Sequence, residues 1–134
     1  MAEEGSKGLS FRQGAAAPFA EKGINMTVER FANEFGFDIL CMPAPEKEIS
    51  GAYIGDLLSW VMGKAEQSNV WLTIMSNINT VAVATLADTS CILLCEGVRA
   101  DGELLRTASE KGVNILSTDL TSFEAAVKIK DAVR

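Results

Sequence analysis

Ser50-Gly-Ala-Tyr-Ile-Gly-Asp-Leu-Leu-Ser-Trp-Val-Met-Gly63 is the stretch around which the 134-residue chain is organised. Its glycines punctuate the approach to a helix that the spacing carries from about Gly51 to Glu66. At about 100° per residue, Ile54, Leu57, Leu58, Val61 and Ala65 fall on one side, wide enough to sit on a sheet. Tyr53, Asp56, Trp60 and Lys64 fall together on a neighbouring side. Water is an expensive place for two large aromatic surfaces, so that flank calls for cover. Two covers fit: packing under the first helix, or a self-complementary homodimer interface built on Tyr53 and Trp60.

Working outward, residues 1–25 mix Gly, Ala, Ser and charge without a usable period, the pattern of an N-terminal tail or an expression leftover. The domain proper is expected over residues 26–134. Thr27 is placed to cap a helix in which Val28, Phe31, Ala32 and Phe35 repeat at helical spacing, and Gly36 to end it. Residues 37–41 form a short strand, and the two prolines at Pro43 and Pro45 make the following segment a loop. Three strand–helix units come next. Residues 70–75 and 91–95 are apolar on both alternations, the mark of strands covered above and below. Ser76, Asn77 and Asn79 precede a small-residue helix over 80–86. Asp101 caps a helix with Leu104, Leu105 and Ala108 inward and Gly112 at its end. Residues 113–116 are the last strand. Thr121 and Glu124 form a capping box for a final helix presenting Phe123, Ala126, Val127 and Val133. Alternating strands and helices give an α/β fold: three layers, a mostly parallel sheet of about four strands, helices on both faces.

Composition excludes several functions. Net charge is −6, with twelve basic and eighteen acidic residues and no basic cluster, which argues against nucleic acid. No apolar run approaches the roughly 18 residues of a membrane span, and the N-terminus lacks the character of a signal peptide. Three cysteines without a secretion signal fit reduced thiols in a cytoplasm. There is no histidine, which removes Ser-His and Cys-His pairs and His-based metal sites. Cys91 and Cys95, four apart in a strand, lie roughly 13 Å apart at about 3.3 Å per residue and cannot grip one metal. No catalytic group, metal site or cofactor is expected.

Ligands of open α/β sheets collect at the carboxyl ends of the strands. The candidate ligand-binding residues are therefore Gly51, Asp56, Ser76, Asn77 and Asn79, where helix N-termini can favour a small anion. Each has a second reading as ordinary capping or turn chemistry. Cys41, Cys95, Glu96, Ser117, Thr118 and Asp119 are expected at the same edge.

Four motifs carry a resemblance: Thr27-Val-Glu-Arg-Phe-Ala; Ile49-Ser-Gly-Ala-Tyr-Ile-Gly-Asp-Leu-Leu-Ser59; Thr73-Ile-Met-Ser-Asn-Ile-Asn79 followed by Val81-Ala-Val-Ala; and Ser117-Thr-Asp-Leu120. From Met26 onward the chain resembles the DRTGG domain family, in its small stand-alone form. The resemblance implies a regulatory, ligand-sensing module similar in fold to the N-terminal domain of HPr kinase/phosphorylase, and related to domains set between the CBS modules of nucleotide-regulated pyrophosphatases. It implies a small anionic or nucleotide ligand, or a partner enzyme, and no catalysis, since the kinase phosphate-binding loop is missing. Stand-alone members are also associated with iron–sulfur hydrogenases, which implies the alternative of an accessory subunit in a redox enzyme system.

Overall fold

The computed structural model describes residues 26–133; the expected tail at 1–25 lies outside the described residues. The elements are α1 (Val28–Phe35), β1 (Asp38–Cys41), β2 (Gly51–Ile54), α2 (Leu58–Lys64), β3 (Asn69–Thr73), α3 (Ile78–Ala87), β4 (Cys91–Leu94), α4 (Gly102–Lys111), β5 (Ile115–Ser117) and α5 (Ser122–Ile129).

Local chemistry sets most boundaries. The Thr27 hydroxyl accepts from Arg30 N–H, and Gly36 closes α1 in the left-handed conformation at φ 70°. Asn77 caps α3 in a reciprocal capping box with Thr80, Asp101 caps α4, and Thr121 with Glu124 opens α5 in the same reciprocal way. Each such cap satisfies donors that the first helical turn leaves without partners.

The sheet has five strands in the order β1-β5-β4-β3-β2. β2, β3, β4 and β5 are parallel, and β1 joins β5 antiparallel. The fifth strand is the segment that periodicity assigned to a helix. Gly51 to Ile54 pairs in register with Asn69 to Leu72, and the helix begins only at Leu58. Helical spacing of Ile54, Leu57, Leu58 and Val61 was a coincidence across a strand, a turn and a helix. Val61 is buried, whereas Ile54 and Leu57 stay largely in water.

From β2 to β5 every connection advances one strand in the same direction. Right-handed crossovers then put α2, α3 and α4 on one face. The core agrees: Val61, Val81, Ala84, Leu104 and Ala108 pack with Trp71, Ile92, Leu94 and Ile115. On the other face Val28, Phe31, Ala125 and Ile129 of α1 and α5 pack with Val70, Leu72, Cys91, Leu93 and Leu116. In α5 the buried stripe is Ala125 and Ile129; Phe123, expected inward, is 75% exposed.

The segment from β1 to β2 travels from one edge of the sheet to the other and is fastened at the amino ends of the strands. Asn114, wholly buried, does most of this. Its carboxamide oxygen accepts from Ala44 N–H at 2.9 Å, and its nitrogen donates to Ala44 O at 2.8 Å and Ser90 O at 3.0 Å. The Ser90 hydroxyl donates to Glu48 O, and Lys47 N–H and O are engaged by Ala44 O and Val28 N–H. Asn114→Ala removes three hydrogen bonds and takes the side-chain partner from Ala44 N–H and the buried Ser90 O, Ala44 O keeping Lys47 N–H, so urea denaturation is expected to show a loss of about 2–4 kcal/mol. A loss below about 1 kcal/mol would show that the strap is held by other contacts.

Candidate functional site

The carboxyl ends of the parallel strands are built from the turn after β2, the turn after β3 and the loops after β4 and β5. The turn after β2 is pinned from below. Trp71, buried in β3, donates its indole N–H to Gly55 O at 2.8 Å. A buried indole needs an acceptor, and the turn supplies one. Gly55 is closely covered: a Cβ there would meet the Tyr53 ring at 3.0 Å and push it aside. One residue on, Asp56 Oδ1 accepts from the Thr73 hydroxyl at 2.8 Å and from Ile74 N–H at 3.0 Å. Thr73 is fully buried. The hydroxyl in turn accepts from Met75 N–H at 3.1 Å. Asp56 therefore ties the end of β2 to the end of β3 and shapes the turn that leads to Asn77.

Beyond that turn, the Ser76 hydroxyl donates to Arg99 O at 2.7 Å. Asn77 Oδ1 accepts from Asn79 N–H at 2.8 Å and Thr80 N–H at 3.3 Å. Arg99 reaches Ser117 Oγ at 2.7 Å and Asp38 at 3.3 Å. Glu96 and Gly97 both have positive φ, at 60° and 75°. Their N–H groups donate to Leu120 O at 2.8 Å and Thr118 O at 2.9 Å. Those two amides are thus consumed in joining the β4 and β5 loops.

Asp56, Ser76, Asn77 and Asn79 are gathered on the β2–β3 side of this edge. Gly51 is not: it starts β2 opposite Asn69, at the amino ends of the strands. Cys41 is also at that far end, opposite Ile115, because β1 runs antiparallel; Asp38 takes its place beside Ser117. The loops after β2, β3 and β4 all lead to helices on one face, so no crevice opens between them and this part of the edge is a shelf. Ile74 and Ile78, 43% and 47% exposed, lie on it beside the polar groups. Tyr53 and Trp60 do not share a helix face. Tyr53 is half-buried on β2 against the α2–α4 layer, and Trp60 is 59% exposed on α2 with Lys64 Nζ 5.5 Å from its ring centre. Sequence reasoning missed Trp71 and Arg99; a tryptophan inside an otherwise aliphatic strand was the available signal for the first.

Cys91 and Cys95 are buried, and Cys41 is half-buried. Burial raises all three, and Cys91 is pushed up to about 12, with Lys47 pulling it slightly back. Among the described residues no group of three or more Cys, Asp or Glu is arranged to hold a metal ion. No helix among them is long and apolar enough to cross a membrane.

Removing the Asp56 clamp has a defined cost. Asp56→Ala is expected to lose about 1–2 kcal/mol by urea denaturation, the group being partly solvated, and Asp56→Asn less, because Oδ1 still accepts. Equal losses would show that charge, not the accepting oxygen, holds the turn. Cys91 gives a pH signature. Between its ordinary 9.0 and about 12 the unfolded chain releases this proton while the folded chain keeps it, so stability is expected to fall as pH rises through that window. Cys91→Val should flatten the fall; an unchanged slope would place the alkaline loss elsewhere.

Comparison with known proteins follows from this geometry. A family model described as the DRTGG domain matches residues 61–132. Among solved structures the chain is similar to the regulatory region of Clostridium perfringens pyrophosphatase, its CBS and DRTGG domains complexed with the activator diadenosine tetraphosphate. The TM-score is 0.66 at 11% sequence identity, over 81% of this chain and 47% of that one, so the likeness is one of fold and this chain spans about half of that region. No curated protein matches the sequence.

Proposed function

We propose that this chain, which belongs to the DRTGG domain family, is a non-catalytic, self-associating regulatory module of the cytoplasm that binds a small anionic or nucleotide ligand or a partner enzyme. The family match over residues 61–132 is the observation that carries this reading. The similar pyrophosphatase region is regulatory and was solved with a dinucleotide activator, which supports nucleotides as the class to test first.

The ligand is assigned to the shelf at the carboxyl ends of β2 and β3. Asp56, Ser76, Asn77 and Asn79 lie there with Ile74 and Ile78 exposed beside them. Apolar side chains flanking hydrogen-bonding groups suit a flat base whose rim carries donors and acceptors. The polar groups on this shelf are engaged in caps and clamps rather than poised against one another, which favours binding over chemistry. Gly51, at the opposite ends of the strands, is left out of the assignment.

Isothermal calorimetry and thermal shift with diadenosine tetraphosphate, AMP, ATP and inorganic phosphate test the reading. A ligand of the folded state at a hundredfold excess over its Kd adds about 2.7 kcal/mol of apparent stability. Stabilisation by at least one nucleotide, weakened tenfold or more by Asn79→Ala, is the expected result. Silence from all four, with the folded chain intact, would contradict the ligand assignment.

A further inference from the structure

We infer that residues 22–25 lie antiparallel along the outer side of β2, as a sixth strand that covers this edge of the sheet from within the chain. Self-association, as proposed above, then uses another surface.

The pairing begins among the described residues. Thr27 forms an antiparallel bridge with Glu48. Ile49 N–H donates to Met26 O at 2.8 Å and Val28 N–H to Lys47 O at 2.9 Å, the two bonds that flank such a bridge in an antiparallel ladder. Traced backwards from Thr27, the chain is therefore aimed along Ile49 and the residues that follow it into β2.

β2 offers the rest of the ladder. Leu72 O accepts from Gly55 N–H, while Asn69 O and Thr73 O accept from Ser90 and Cys95 on the β4 side. Even-numbered residues of β3 thus face β2. In the register of the two strands, Gly51, Tyr53 and Gly55 turn their backbone groups to β3, and Ala52 and Ile54 turn theirs outward. Ser50 N–H also points inward, to Ser68 O at 3.0 Å, so Ser50 and Gly51 form a bulge between two outward residues, Ile49 and Ala52. The outward groups of Ala52 and Ile54 pair with no other described strand. A strand edge in that state is a template for one more strand.

Length and side chains both fit the residues just before Met26. Four residues at about 3.3 Å each carry the chain roughly 13 Å, from the level of Ile49 to that of Ile54 once the bulge is allowed for. The bulge moves the register on by one, which sets Ile24 opposite Ala52 and Lys22 opposite Ile54. Alternation puts Ile24 and Lys22 on the same face as Met26. That is the α1 and α5 face, since Met26 and Ile49 pack in its cluster. Ala52 and Ile54 point to the same face through their register with Val70 and Leu72, and there Ala52 is exposed and Ile54 48% exposed. Ile24 gives Ala52 an apolar neighbour, and the Lys22 stem lies along Ile54 with its ammonium in water. Residues 22–25, Lys-Gly-Ile-Asn, contain no proline to interrupt the ladder, and lysine is a residue type that guards an outermost strand.

Residue-resolved hydrogen exchange by NMR on the full chain tests the inference. In the wild type the outward amides of Ala52 and Ile54 are expected to exchange at least tenfold more slowly than free amides. Ile24→Pro removes the N–H due to Ala52 O; it is expected to keep the wild-type far-UV spectrum and to speed exchange at Ala52 and Ile54 at least tenfold. The amides of Tyr53 and Gly55, held by β3, are expected to keep their protection in the variant. Ala52 and Ile54 amides that exchange freely in the wild type overturn the sixth strand. Protection that Ile24→Pro leaves in place overturns it as well, and a rise of that protection with protein concentration would make a second copy the occupant instead.

Discussion

The indole of Trp71 governs how this fold begins its parallel run. Buried in β3, the ring has one polar atom to satisfy, and the acceptor at hand is the carbonyl of Gly55. That bond, with the Asp56 carboxylate spanning Thr73 and Ile74, holds residues 51–54 extended against β3 instead of letting them join the helix behind them. A buried donor left open costs more than the few tenths of a kcal/mol by which local propensities differ over four residues. Once β2 is a strand, the sheet gains an outermost member, α2 shrinks to Leu58–Lys64, and the surface of the molecule is redrawn.

How much of this was legible follows from the range of the interactions involved. Thr27, Gly36, Asn77, Asp101, Gly112 and the Thr121–Glu124 pair act within a few residues of themselves, and each does what its position in the chain announces. β3 and β4 announce themselves too, because strands covered on both faces are apolar at every position. The helix-for-strand misreading at Gly51–Ile54 has the opposite origin. Four residues are too few for period 2 to outweigh a fortuitous helical spacing, and the deciding bond comes from a tryptophan sixteen residues away. Asn114 was invisible for the same reason: its partners Ala44 and Ser90 are 70 and 24 residues distant. The candidate site inherits both errors. Ser76, Asn77 and Asn79 follow β3, which was read as a strand, so they gather; Asp56 joins them although the segment before it was read as helix, and Gly51, placed after a strand, in fact opens one.

The winding of the sheet links fold to function. Three right-handed crossovers in one direction commit three helices to one face, and among the described residues two helices lie on the other. They centre on β3, β4 and β5, and their buried cluster includes no residue of β2. The same winding denies the carboxyl ends of β2, β3 and β4 a crevice and makes them a shelf. A small ligand on a shelf contacts two adjacent turns at most, and one of those turns is the clamp that holds β2 in place.

Hydrogen exchange at those amides of Gly51 to Ile54 that face β3, compared by mass spectrometry between the wild type and Trp71→Phe, tests this account most directly. Faster exchange in β2 of the variant while the amides of β4 stay as they were is the result the account requires. β2 amides that exchange at one rate in both proteins would contradict it.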